Sequence, residues 1–464
     1  MKSRRYVFHL RIAQALTDRS PEIVANEPEL LAHHFAEAGQ HEQAILHWQR
    51  AAQRSIEKSA NSEGIAYLRH ALHVLQSLPE GPARAQHELE LRVMLGVPLI
   101  ATSGYANPEV EQTYARARKL SLQVPETPQL PNILWGLWVF YLCGGPLAAA
   151  LEMGEQYLAL ADAHPDDTAI NLEACQLLGI AHFYRGEFES ALPYLERGGQ
   201  LYDPAQHHKL IFAHGGADTG VAIRVHLALT LWALGFPHRA QQTMRAAMDI
   251  ARQVSHPFSL AFAHYFNAWF HKLSGEEPAA LDAATAALSI CEEYGFPFWG
   301  LTSAALRAST SAEQGRTDEG ITEMQAKLGA YAAIGGLLHR APMRGLLARA
   351  YAAGGRHELA LQEVTGAIAD LEGRDERWYE SELHRLQGEY LLALDPGNPA
   401  RAEAALRRAL DVALAQNARS WALRAADSLA RLLLGQGHNQ EAQDLLAEVG
   451  AAVDCGGHQD SLSA

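Results

Sequence analysis

The sequence predicts an all-α protein, a right-handed superhelix of stacked antiparallel helix pairs. Three observations lead there. Alanine and leucine dominate a chain in which 48% of residues are hydrophobic, while β-branched residues are sparse, a balance that favours helix over strand. A Gly-x4-Ala step recurs at Gly39/Ala44, Gly145/Ala150, Gly186/Ala191, Gly235/Ala240, Gly275/Ala280, Gly355/Ala360, Gly397/Ala402 and Gly437/Ala442. From Gly145 the turn glycines, with Gly315 in series, advance by 41, 49, 40, 40, 40, 42 and 40 residues. Finally, proline stands at or between helix starts at Pro146, Pro237, Pro257, Pro278, Pro297 and Pro399, where its missing N–H costs least.

Each step has a physical reading. Glycine ends a first helix in a left-handed conformation that other residues adopt only at a cost. One turn into the second helix, a small residue lets the antiparallel partner come close. A lone pair leaves an apolar face bare, so neighbours must stack to bury it. In chain order, residues 1–27 open with RRYVFHLRIAQAL, read as a helix left over from a preceding region. Residues 28–58 make one pair. The stretches 61–78 and 82–122 lack the step but still read as helices, with a soft boundary at PEGP, residues 79–82. Residues 28–128 are therefore expected to be irregular hairpins.

Within them SGYANPEVEQTY, residues 103–114, reads as a joint. Gly104 ends one long helix, Asn107 caps the next with Pro108 at its first position, and Tyr114 packs inward. The regular array follows over 129–453. Its pairs are expected near 129–143/146–162, 168–185/187–202, 218–234/237–254 and 258–274/277–294. They continue near 298–314/316–333, 339–353/356–371, 377–394/399–416 and 419–435/438–449. The 49-residue step holds YDPAQHHKLIFAHGGADTG, an insertion of about nine residues. The last residues, 454–464, read as a disordered tail.

The net charge of −15, from 53 acidic and 38 basic residues, argues against direct binding of nucleic acid or an anionic membrane, since both need a basic surface. Cys143, Cys175, Cys291 and Cys455 lie far apart with no CxxC, which suits a reducing cytoplasm. The apolar run at 131–151 contains two prolines and a Gly-Gly break, and reads as a buried helix and turn rather than a membrane span.

No residue set commits to a reaction. Asp218-Thr219-Gly220 copies the short motif of aspartic proteases, but those need two such turns in a β-rich fold. A helix N-cap is the plainer use of Asp218 or Thr219. His33/His34, His70/His73 and His207/His208/His214 are the closest histidine groups; the 207–214 loop offers a metal reading, but solvated or helix-end histidines are the plainer one. Neither HExxH nor GxSxG occurs. No catalytic residue, metal or cofactor is expected.

Several runs carry a wider resemblance: PELLAHHFAEAGQHEQAILHWQRAAQRS, SGYANPEVEQTYARARKL, GADTGVAIRVHLALTLWALGFPHRAQQ, RWYESELHRLQGEYLLAL and ARSWALRAADSLARLLLGQGHNQEAQDLL. The repeats resemble tetratricopeptide repeats, though their period near 40 exceeds the usual 34. Nearly the whole chain, in order, resembles the C-terminal region of large bacterial signalling proteins. Those join a class III adenylate/guanylate cyclase-like domain or another effector to a STAND-type NTPase and a tetratricopeptide tail. By that resemblance, residues 1–27 correspond to the last helix of the winged-helix segment after the NTPase. No GxxxxGK[ST] is present, so the family's nucleotide chemistry does not carry over to this chain.

The resemblance implies a concave groove that holds a partner. Counting back two, three, six or ten residues from each turn glycine places Trp135, Gln176, Phe183, Tyr184, Trp232, Tyr265, Trp269, Lys272, Arg349 and Arg431 near that face. Aromatics beside guanidinium groups are common affinity sources at interfaces, and large aromatics equally fill the space between helices. The expected function is that of a non-catalytic cytoplasmic scaffold or sensor arm. Its partner would be an NTPase, cyclase or effector domain, or a peptide segment. A regulatory domain for a small-molecule inducer is the alternative, and part of a cyclase whose catalytic domain lies elsewhere is a third.

Overall fold

A computed structural model of the chain describes residues 2–19, 21–58, 60–124, 128–211 and 216–457, and every regular element among them is a helix. By contacts the chain divides into two units, one reaching to Phe140 and one running from Tyr141 onward.

The first unit holds α1 (Lys2–Arg19), α2 (Pro21–Asn26), α3 (Pro28–Glu37), α4 (His41–Glu57), α5 (Asn61–Leu75), α6 (Pro82–Ser103), α7 (Pro108–Ser121) and most of α8 (Leu130–Gly144). Residues 1–27 thus carry two helices where the sequence suggests one, the second opening on Pro21. From α3 to α7 each helix packs on the next. The SGYANPEVEQTY joint has a simple construction. Gly104, at φ 83°, ends α6, and the Asn107 carboxamide oxygen accepts the Glu109 N–H at 2.8 Å to cap α7. Tyr114 is buried, its ring lying on Gly96 and Gly136. A Cβ at either glycine would come within 2.2 Å or 2.4 Å of that ring.

The second unit continues with α9 (Leu147–Ala163), α10 (Thr168–Tyr184), α11 (Phe188–Leu201), the short α12 (Pro204–His207), α13 (Thr219–Ala233), α14 (Pro237–Val254), α15 (Pro257–Ser274) and α16 (Glu277–Tyr294). It ends with α17 (Pro297–Glu313), α18 (Thr317–Ala333), α19 (Arg340–Ala353), α20 (His357–Glu372), α21 (Glu380–Leu394), α22 (Ala400–Ala415), α23 (Arg419–Gly435) and α24 (Asn439–Gly457). These are the expected pairs, with two differences. The seventh pair starts at Glu380 rather than 377, because residues 373–379 form an extended loop. The backbone is helical through Gly457, and the rest of the expected tail lies outside the described residues.

The turn chemistry follows the step. Gly39, Gly186, Gly235, Gly275, Gly315, Gly355 and Gly437 all have positive φ, and the eight step alanines are at most 1% exposed. Gly320 replaces alanine for a local reason: a Cβ there would sit 2.6 Å from the Ala308 carbonyl oxygen.

First helices of successive pairs touch from α10 through α23, and α13 also meets α23. That last contact belongs to a wider closure. A helix leaves its final carbonyls without partners, and here later loops and the start of α23 supply the donors. Leu337 and Leu338 donate N–H to Cys143 O at 3.0 Å and 3.1 Å; Arg377 and Trp378 donate to Tyr184 O at 2.8 Å and 3.2 Å. The Ser420 hydroxyl donates to Trp232 O, and Arg424 donates to Leu273 O. Each turn therefore receives chain from the pair about five repeats on, so the array completes its winding in five pairs. Gly186 must be glycine on two grounds. Its φ is 75°, and a Cβ would lie 2.4 Å from Gln416 Nε2.

Candidate functional site

The closure decides the fate of the predicted groove residues. Trp135 is buried in the first unit. Gln176, Phe183, Tyr184, Trp232, Tyr265 and Trp269 are buried in the second. The Trp378 ring lies against Phe183 and Trp269, and Trp421 against Trp232. The loops before the sixth and seventh pairs and the first turn of α23 occupy the space an open array would leave for a ligand. All seven residues are buried here.

Lys272, Arg349 and Arg431 are different. They come together in a cleft of about 510 Å³, where the closure runs out. Each pair contributes one helical edge. Lys272 comes from the last turn of α15, Glu277 from the start of α16, Glu313 from the end of α17, and Arg349 from α19. On α21, Glu382, Arg385 and Glu389 fall three and four apart; on α23, Arg424, Asp427, Ser428 and Arg431 do the same, so each set shares a face.

Lys272 is almost fully buried and is held by Glu277 at 2.8 Å and Glu313 at 3.1 Å. Arg349 meets the same Glu313 oxygen at 2.8 Å. Burial works against the Arg349 charge, yet the carboxylates of Glu313, Glu382 and Glu277 outweigh it and keep the guanidinium ionised. Arg385 grips the buried Glu382 with two N–H bonds, at 2.8 Å and 2.7 Å, a bidentate geometry that fixes both groups. Burial opposes ionisation of Glu382, but Arg385, Arg424 and Arg349 leave its carboxyl below the usual range. Arg424 lies over the rings of Trp232 and Trp421, 5.3 Å and 5.2 Å from their centres. At the rim Arg431 is 64% exposed and reaches Asp427 at 3.0 Å and Glu389 at 3.6 Å.

Cations and carboxylates thus alternate around the cleft and nearly balance. Its deep members are locked together, while Arg431 and Asp427 face solvent and can exchange partners. Its rim groups are chemically able to form charge-assisted hydrogen bonds with polar or charged groups. Six charged cleft residues escaped the sequence reading: Glu277, Glu313, Arg385, Glu389, Arg424 and Asp427. Two carried a usable signal. Glu313 stands two before Gly315 and Asp427 ten before Gly437, the offsets that selected the aromatics and cations.

The other sequence candidates are accounted for locally. Asp218 is fully buried and caps α13, its Oδ1 accepting the N–H groups of Gly220 and Val221 at 2.9 Å and 3.2 Å. Its Oδ2 accepts the Tyr202 hydroxyl at 2.8 Å. His214 lies outside the described residues; among these, no three His, Cys, Asp or Glu gather as metal ligands would. Cys143 and Cys291 are buried, and burial pushes both thiols up to about 12. Cys455 belongs to a stretch whose side chains are not described. No described helix is long and apolar enough to cross a membrane.

No protein-family model matches the chain. An uncharacterized protein of Rhizobium meliloti (strain 1021) is 24% identical over 444 residues, covering 93% of this chain and 42% of that protein. The chain thus spans less than half of that relative's length. Among solved structures, Rap protein complexed with competence and sporulation factor superposes with a TM-score of 0.56 at 14% identity, covering 81% of this chain and 99% of that one. A STAND protein with a tetratricopeptide repeat sensor from Pyrococcus horikoshii covers 100% of this chain and 89% of its own at TM-score 0.35 and 13% identity. The Rap likeness establishes the fold alone, a tetratricopeptide-like helical repeat.

Proposed function

We propose that the chain is a non-catalytic tetratricopeptide-type scaffold or sensor arm of a bacterial signalling or transcriptional-regulatory ATPase or cyclase system. It docks a protein partner through the charged cleft. The observation that carries this reading is the graded accessibility of one side-chain set. Lys272, Glu382 and Arg385 are locked below, while Arg431 and Asp427 stand free enough at the rim to meet a second protein. Rap's complex with a sporulation factor supports this class of use for such an array. The link to an ATPase or cyclase rests on the whole-chain resemblance.

The volume of the cleft, about 510 Å³, also falls in the range of small-molecule sites, which favours an inducer as the second reading. Its charged walls fit a protein surface better than a drug-sized apolar ligand. The test uses Arg431→Glu, since this exposed side chain can be reversed without unsettling the buried network. Tagged wild-type and variant chains are exposed to host lysate and bound proteins quantified by mass spectrometry. A partner recovered at least about tenfold less by the variant is expected, since an interfacial charge reversal costs several kcal/mol. Equal recovery of every captured protein by both chains rejects the cleft as the docking site.

A further inference from the structure

Beneath the loops that close the array lies a line of hydroxyls and imidazoles whose proton positions can be deduced. His226 Nδ1 is 2.8 Å from the Ala222 carbonyl oxygen, which can only accept, so Nδ1 carries the proton. Burial keeps the ring neutral, so Nε2 is bare and takes the Tyr184 hydroxyl proton at 3.2 Å. Tyr184 has no second proton, so His339 Nε2, 3.0 Å from the same oxygen, must donate to it. His339 Nδ1 is bare in turn and accepts the Tyr265 hydroxyl at 2.8 Å. Every donor meets an acceptor once, and both imidazoles are neutral.

This line is tied to the closing loops. His339 sits in the loop before α19 with φ 64°, and its N–H donates to Glu376 Oε1 at 2.9 Å. Glu376, in the next loop, also accepts the Trp378 indole N–H at 3.2 Å and Arg374 Nε at 3.2 Å. Arg374 itself donates to Gly145 O and Leu142 O, and the Tyr331 hydroxyl donates to Leu338 O at 2.7 Å.

We infer that this hydrogen-bond line is a proton-sensitive latch, holding loops 335–339 and 373–379 on the turns of the first and second pairs while both imidazoles are neutral and loosening them on protonation. A second proton on either ring turns the hydroxyl and imidazole protons of the line towards Tyr265, whose hydroxyl then loses His339 Nδ1 as its acceptor. The groups facing the pair are Tyr184 of α10, Tyr265 of α15, Tyr331 of α18, Cys143 of α8, and Arg374 with Glu376 of the loop. Glu376 already answers Arg374, so an imidazolium there gains no counter-ion of its own.

Burial holds both imidazoles below their ordinary range, His226 at about 4. Loosened and solvated, they return to the ordinary value of about 6.5. The latch is therefore at full strength above about pH 6.5 and weakens as the pH falls towards the depressed values. Two protons taken up on loosening shift its equilibrium about 100-fold per pH unit below that point. Glu376 acts in the opposite sense, because burial raises its carboxyl and the closed form takes up that proton more readily.

The test follows amide hydrogen exchange of Leu337, Leu338, Arg377 and Trp378 in the full chain at pH 7.5 and 5.5, normalised to unstructured peptides of the same sequence. Wild type is expected to lose protection by at least about tenfold at pH 5.5, while distant helices such as α16 keep theirs. His226→Gln with His339→Asn, asparagine being at ease with the positive φ, is expected to remove the response. Tyr184→Phe deletes only the shared oxygen and is expected to lower protection already at pH 7.5. Equal protection of the wild type at both pH values overturns the latch whatever the variants do. An unchanged pH response in the double histidine variant overturns it as well.

Discussion

Tyr114 is a large ring set between two glycines of its own unit, Gly96 on α6 and Gly136 on α8. Neither glycine is needed for its own backbone conformation, since both lie within helices. They are glycine because the tyrosine leaves no room for a Cβ. Gly96→Ala is accordingly expected to destabilise the protein by about 1–3 kcal/mol, read from the urea midpoint. Tyr114→Leu in the Gly96→Ala background should recover part of that loss, and a double-mutant cycle with no coupling would contradict the contact. At this scale the sequence was partly readable. Asn107 and Asp218 announce their helix starts, because a cap is a local bond between near neighbours. The glycine–tyrosine fit is not readable, since it joins residues 18 and 22 positions apart whose contact exists only after the helices pack.

Helix α21 shows what an element can carry. Glu382, three residues into it, is fully buried and answered by Arg385 of the next turn. Glu382→Gln is expected to destabilise by about 1–3 kcal/mol, because it removes the buried bidentate partner of Arg385 and leaves that guanidinium only Glu389 as a carboxylate. Since the folded carboxyl sits below its usual range, its contribution is present above pH 4.5 and fades as the pH falls through the depressed value. The acid limb of the wild-type stability profile should be steeper than that of Glu382→Gln; identical limbs would contradict the ion pair. The eight pairs were legible from the turn glycines because that signal repeats at short range. The start of α21 was not. RWYE looks like ordinary helix, but the preceding Asp375 takes φ 66° and side chains of Glu376 and Trp378 turn inward. Only the receiving surface on α10 explains that preference.

In the second unit taken whole, the five-pair winding was invisible in the sequence for a physical reason. A small rotation per pair accumulates, so whether the inner face stays open or fills depends on the sum over hundreds of residues. Aromatics such as Trp269 and Tyr265 suit a groove or a core equally well, and the winding made them core. Lys272 is buried and Arg349 half-buried beside carboxylates that close the charge balance, a pairing the spacing alone did not supply. Arg374 is where the winding is most exposed to a single substitution. Its side chain donates to Leu142 O, Gly145 O and Glu376 together. Arg374→Met is expected to cost about 3–5 kcal/mol and to raise exchange at residues 141–147 well beyond that at α16. A uniform change across the unit would show that the arginine holds no closure.

Those Arg374 bonds reach back 229 and 232 residues along the chain. Ribosomes add about 5–20 residues per second, so Leu142 and Gly145 emerge roughly ten to fifty seconds before the arginine that completes them. Until then the first pairs must stand with their inner aromatics uncovered. The nascent array is thus an open, sticky surface for much of its synthesis, and its slowest folding event should be the late arrival of these loops.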